Sequence, residues 1–131
     1  MSRYKQDFIE DRNKDLLSVF RKLLLESTGY VTSAMIIEQI YYHPAQRFYI
    51  SNEEAIRRAY HIIRCGRTLC KSDLRSQMYE EITRRALKLK SIEINRPLNK
   101  IIEDVIYQPA PMFYLTKDSI QTIISNLRNS K

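Results

Sequence analysis

Pro44-Ala45-Gln46-Arg47-Phe48-Tyr49-Ile50-Ser51 returns 65 residues later as Pro109-Ala110-Pro111-Met112-Phe113-Tyr114-Leu115-Thr116. The match extends upstream, where Ile36-Ile37-Glu38-Gln39-Ile40-Tyr41-Tyr42 lies over Ile101-Ile102-Glu103-Asp104-Val105-Ile106-Tyr107. Eight positions are identical: Ile36, Ile37, Glu38, Tyr42, Pro44, Ala45, Phe48 and Tyr49. Ile40/Val105, Ile50/Leu115 and Ser51/Thr116 exchange like for like. Such agreement over a short stretch points to an internal duplication, so the elements around the two phrases should come in matched sets.

Working outward from the phrase, the first half reads as helix, helix, short extended piece, helix. A helix from about Asp7 to Glu26 carries Leu16, Phe20 and Leu23 on one stripe, widened by Leu17 and Leu24. Gly29 stands past its end, where a left-handed residue costs least for glycine. Thr32 or Ser33 should cap a second helix over 33–42, with Ile36, Ile37, Ile40 and Tyr41 inward. His43-Pro44 stops it, because proline disfavours helix in the preceding residue. Ser51-Asn52-Glu53-Glu54 reads as a capping box, with Glu54 reaching back to the Ser51 amide. The third helix, over 52–65, places Ile56, Ala59, Tyr60 and Ile63 on one face and ends at Gly66.

The second half repeats the plan. A helix over 72–90 aligns Leu74, Met78, Ile82, Ala86 and Leu89. Pro97 suits the first position of the next helix, whose Leu98, Ile101, Ile102, Val105 and Ile106 are periodic. Thr116 should cap a last helix bearing Ile120, Ile123, Ile124 and Leu127. The fold class is therefore all-α. The expected organisation is a single domain over 1–131 made of two pseudo-repeats, about 1–66 and 67–131. The aromatic triplets at 48–50 and 113–115 suit extended geometry, and pseudo-symmetry predicts that they pair as a minimal antiparallel ribbon held by the helices.

A chain of 131 residues can build one real core, whereas a half of about 65 sits near the lower limit of independent stability. Two glycines in total argue against a glycine-rich phosphate loop. No apolar run approaches the roughly 18 residues of a membrane span, and the polar opening Met1-Ser2-Arg3-Tyr4-Lys5 lacks a signal-peptide core. Cys65 and Cys70, without a second pair, read as free thiols of a reducing compartment. The expectation is a cytoplasmic protein that does not engage a membrane.

The net charge of +7 is segregated. Residues 57–90 hold ten basic side chains against Asp73, Glu80 and Glu81, so the excess lies in the middle third. A segregated basic surface suggests a polyanionic partner. Arg57, His61 and Arg64 fall on one line of the third helix, with Arg58 beside them, and the excess continues through Arg67, Lys71 and Arg75. In the phrase itself Arg47 is matched by Met112. This is the pattern of a helix that reads nucleic acid, arginines serving phosphates and guanine edges, and DNA is favoured over RNA. The expected interface is Arg47, Arg57, Arg58, His61, Arg64, Arg67, Lys71 and Arg75. The connection of about nine residues between helices 33–42 and 52–65 exceeds a helix-turn-helix turn of three or four, so the resemblance to that motif is loose; a winged-helix or other tri-helical variant could hold the longer connection.

The alternative is a protein-interaction or assembly module: a homodimer, or an adaptor to an acidic partner. Nine tyrosines suit that role. No enzyme activity is expected. His43 and His61 lack metal-ligand spacing, Cys65 and Cys70 read as buried or idle thiols although the arginines around them would favour a reactive thiolate, and Glu38 and Glu103 read as solvent-facing or capping acids rather than a catalytic pair. No cofactor or metal is called for.

Overall fold

Thr32, Ser51 and Thr116 each accept a hydrogen bond from the backbone N–H three residues on, at 3.2, 3.1 and 3.1 Å, and so fix where three helices begin. A computed structural model describes residues 2–66 and 73–129. Six helices are formed among them: α1 (Ser2–Glu26), α2 (Ser33–Tyr41), α3 (Asn52–Cys65), α4 (Asp73–Ile92), α5 (Leu98–Val105) and α6 (Lys117–Asn129). The all-α reading therefore holds. Gly66 ends α3 in the left-handed conformation, φ 79°, and its N–H closes on the Ile62 carbonyl. Pro97 sits one position earlier than expected: it caps α5 with extended backbone, its carbonyl receiving the Lys100 and Ile101 N–H groups.

The helices gather into two compact units. One comprises Met1–Gln46 and Ala110–Lys131, in which α1, α2 and α6 pack together. The other comprises Arg47–Pro109 and packs α3, α4 and α5. Each unit is thus tri-helical, with a long and a short helix from one half of the sequence and the third helix from the other. The chain changes unit at Gln46–Arg47 and at Pro109–Ala110, inside both copies of the phrase rather than near residue 66.

In the first unit Leu16, Val19, Phe20, Ile36, Ile37, Ile40, Ile120 and Ile124 are buried. Leu24, expected to widen the α1 stripe, is exposed, and Val19 takes its place in the core. The buried Asp15 carboxylate accepts the Gln46 N–H at 2.9 Å and pins the first phrase. The matching position in the second phrase is Pro111, which has no N–H to give.

In the second unit Phe48, Met78, Tyr79, Ile82, Ala86, Ile101, Ile102, Val105 and Ile106 are buried. The inward face of α3 is turned by about one position from the expected stripe. Ala55 and Ala59 are buried, whereas Ile63 is 40% exposed. The turn brings Glu54 and Arg58 round to the buried Tyr79 of α4.

The predicted ribbon is not formed, and no strand occurs among the described residues. The Ile50 N–H bonds to the Phe48 carbonyl at 3.1 Å, a local turn that takes it out of any ladder. Tyr114 has φ 58°, which breaks extended geometry in the second triplet. The two phrases instead meet at one antiparallel bridge, Ala45–Ala110, whose N–H and carbonyl groups exchange both bonds at 3.0 Å. These two alanines occupy the same position in the two copies of the phrase.

Candidate nucleic-acid interface

The basic residues singled out from the sequence fall into three groups. Arg57 and Arg64 lie on the exposed face of α3, and neither makes an ion pair among the described residues. They are two helical turns apart on one side, about 10 Å by the rise of an α-helix. His61 lies between them, half-buried; its Nδ1 is 3.9 Å from the Cys65 sulfur, and its Nε2 is buried without a hydrogen-bond partner among the described residues. Arg67 and Lys71 lie outside the described residues, as does Cys70.

The remaining three are engaged within the protein. Arg47 donates from Nε to the Phe48 carbonyl at 3.0 Å and from Nη2 to the Ile50 carbonyl at 3.1 Å. Its guanidinium lies 4.1 Å from the centre of the Tyr107 ring and 5.5 Å from that of Tyr49. It clamps the turn of the phrase, and Met112 at the matching position has no donors with which to do so. Arg58 lies over the Tyr79 ring at 5.0 Å, with Nε 3.7 Å from Glu54. Arg75 donates to the Tyr79 hydroxyl at 2.8 Å and to Glu54 at 3.2 Å.

Glu54 is the hub of this cluster. It accepts the Tyr79 hydroxyl proton at 2.7 Å as well as Arg75. Its carboxylate does not reach back to the Ser51 amide as a capping box would; a buried phenol and two guanidiniums outbid that bond, and only the Ser51 half of the motif is made. Burial pushes the Glu54 carboxyl up, but the hydrogen bonds from Tyr79 and Arg75 and the adjacent guanidinium charges hold it below its ordinary value. Burial and the hydrogen bond to Glu54 raise the Tyr79 phenol. No feature of the sequence short of knowing that α3 packs on α4 would have found this cluster, since Glu54 and Tyr79 lie 25 positions apart.

Further along α4, Glu81 holds both Arg84 and Arg85 at 2.7 Å. Hydrogen bonding from Arg84 is the main reason the Glu81 carboxyl lies below its ordinary value. Arg85 also donates to the Pro109 carbonyl at 2.8 Å and lies over the Phe48 ring. Arg96 is paired with Glu93 and Asp104. Glu38 and Glu103 are each paired with a lysine, Lys117 and Lys100, and fall in different units. Among the described residues no group of three His, Cys, Asp or Glu could hold a metal, and no helix is long and apolar enough to cross a membrane.

α2 and α3 belong to different units; within its own unit α3 packs on α4 and α5. Comparison with protein-family models, with curated proteins and with solved structures finds no match to this chain.

Proposed function

We propose that this protein binds nucleic acid, double-stranded DNA in preference to RNA, through the exposed face of α3. The observation that carries the reading is the pair Arg57 and Arg64, exposed on one helix face and without an ion pair among the described residues, in a chain of net charge +7. Arg47, Arg58 and Arg75 build the unit that presents this face rather than the contact itself. Arg67 and Lys71, which follow α3 in the sequence, extend the basic run. On the same reading the chain arose by duplication, with the Ala45–Ala110 bridge as the meeting point of the two phrases, and only the first copy kept a basic third helix.

The test is a fluorescence-anisotropy titration of a mixed-sequence duplex at two salt concentrations. Each arginine that neutralises a phosphate adds about 0.9 to the slope of log K against log salt. The double change Arg57→Ala with Arg64→Ala should therefore cut the slope by about two. Arg96→Ala, at a cation already held by two acids, should leave it alone. Absence of binding at low salt overturns the reading.

A second reading, assembly, is favoured by one observation. Leu25 and Tyr30, at and beyond the end of α1, are each 87% exposed. Exposed large apolar groups in one short stretch favour a protein contact. If they join two copies, light scattering will give twice the monomer mass, and Leu25→Asp will return it to the monomer value.

A further inference from the structure

A groove lies along α4 in the second unit, about 300 Å³ in volume and open to solvent. It is lined by Arg84, Arg85, Lys88, Leu89, Ile92 and Gln108. Its chemistry is two-sided. Arg84, Lys88 and Ile92 follow one another at four-residue spacing along one line of the helix. Arg84 and Lys88 are exposed, Ile92 is 70% exposed, and Leu89 lies half-buried beside them. The cations exceed their local acids: Glu81 pairs with Arg84 and Arg85, which leaves Lys88 without an ion pair among the described residues. Glu80 sits one turn before Arg84, at the far end of the same line.

We propose that this groove docks an acidic segment of a partner protein carrying a large apolar side chain. The acids of that segment would meet Lys88 and Arg84, and its apolar group would cover Leu89 and Ile92. The side-chain amide of Gln108, which already accepts from Arg85 at 3.3 Å, keeps its NH₂ group for a backbone carbonyl of the segment. Two features favour a peptide over a nucleic-acid backbone here. A phosphate backbone makes no use of Ile92, which is exposed at a cost in apolar hydration. The net positive excess sits next to that apolar end rather than in a continuous basic track. This surface is separate from the α3 face and uses neither Arg57 nor Arg64.

The test uses the full chain labelled with ¹⁵N, titrated with a helical peptide made only of glutamate and leucine, with poly-glutamate of equal charge as the comparison. Amide shifts are expected around Arg84, Lys88, Leu89, Ile92 and Gln108, with tighter binding of the leucine-containing peptide. The double change Arg84→Glu with Lys88→Glu should weaken it by about tenfold or more, and Ile92→Ser by several-fold, as for the loss of a charge pair and of one apolar contact. All three side chains are exposed, so the variants should keep the parent's circular dichroism; Ile92→Ser should also keep its thermal midpoint, whereas the double change, which breaks the Arg84–Glu81 pair, should lower it slightly. Equal binding of poly-glutamate, shifts centred on Arg57 to Arg64, or displacement of the peptide from α4 by duplex DNA would each overturn the proposal.

Discussion

Phe48→Ala is expected to lower the unfolding free energy by about 3–5 kcal/mol, the range for emptying a buried phenylalanine site. The side chain is 0% exposed. Its ring carries the Arg85 guanidinium at 4.9 Å, and its backbone N–H is bonded to the Ile106 carbonyl at 2.9 Å. The backbone bond survives the change. What is lost is apolar burial, and Arg85 is left over a cavity. A domain of this size holds a net stability of about 5–15 kcal/mol, so one side chain accounts for a large share. Phe48→Leu keeps most of the volume and should cost less than about 1.5 kcal/mol if neighbours can close in. Urea unfolding followed by circular dichroism measures both. A loss below about 1 kcal/mol for the alanine variant would show that Phe48 is not part of the core. Phe113, at the same place in the second phrase, is nearly as buried and serves the other unit.

The swap of third helices explains which parts of this fold could be read from the sequence. Local signals were sufficient for the helices: Thr32, Ser51 and Thr116 mark their starts and Gly66 an end, because capping is decided within four residues. They were also sufficient to find the repeated phrase as a corner. They were not sufficient to say which helix packs on which. A third helix with an apolar stripe carries no local signal for one half over the other, since α2 and α5 offer it matching buried positions, Ile36 and Ile101, Ile37 and Ile102, Ile40 and Val105. The orientation of α3 depended on that choice, and so did the fate of Arg58 and Arg75. In the sequence these two arginines look the same as Arg57 and Arg64. Only the position of Tyr79, one turn along α4 from Arg75, separates the arginines that build the unit from those that face solvent.

Glu54→Gln carries the second large effect, and it depends on pH. The change keeps the shape and the N–H bond to Ser51 but removes the charge that Tyr79, Arg75 and Arg58 share. A hydrogen bond to a charged partner is worth about 1.5–3 kcal/mol. Because Glu54 is about one-fifth exposed and Arg75 nearly half exposed, the arginine pair is screened and should contribute under about 1 kcal/mol. The Tyr79 contact should dominate, so Tyr79→Phe should recover most of the loss in a double-mutant cycle with Glu54→Gln, and Arg75→Ala much less. The carboxyl is held below its ordinary value in the folded protein, so its contribution is complete above about pH 4.3 and is lost as pH falls through the lowered value. Tyr79 is held above its ordinary value, so its contribution is complete below about pH 10 and is lost as pH rises through the raised value. The parent should therefore show a stability plateau between these limits. The Glu54→Gln variant should lie below the plateau at neutral pH and converge on the parent at the acid end, where the parent carboxyl is protonated too. Parallel curves for parent and variant down through pH 3 would mean that the charge of Glu54 does not hold α3 to α4.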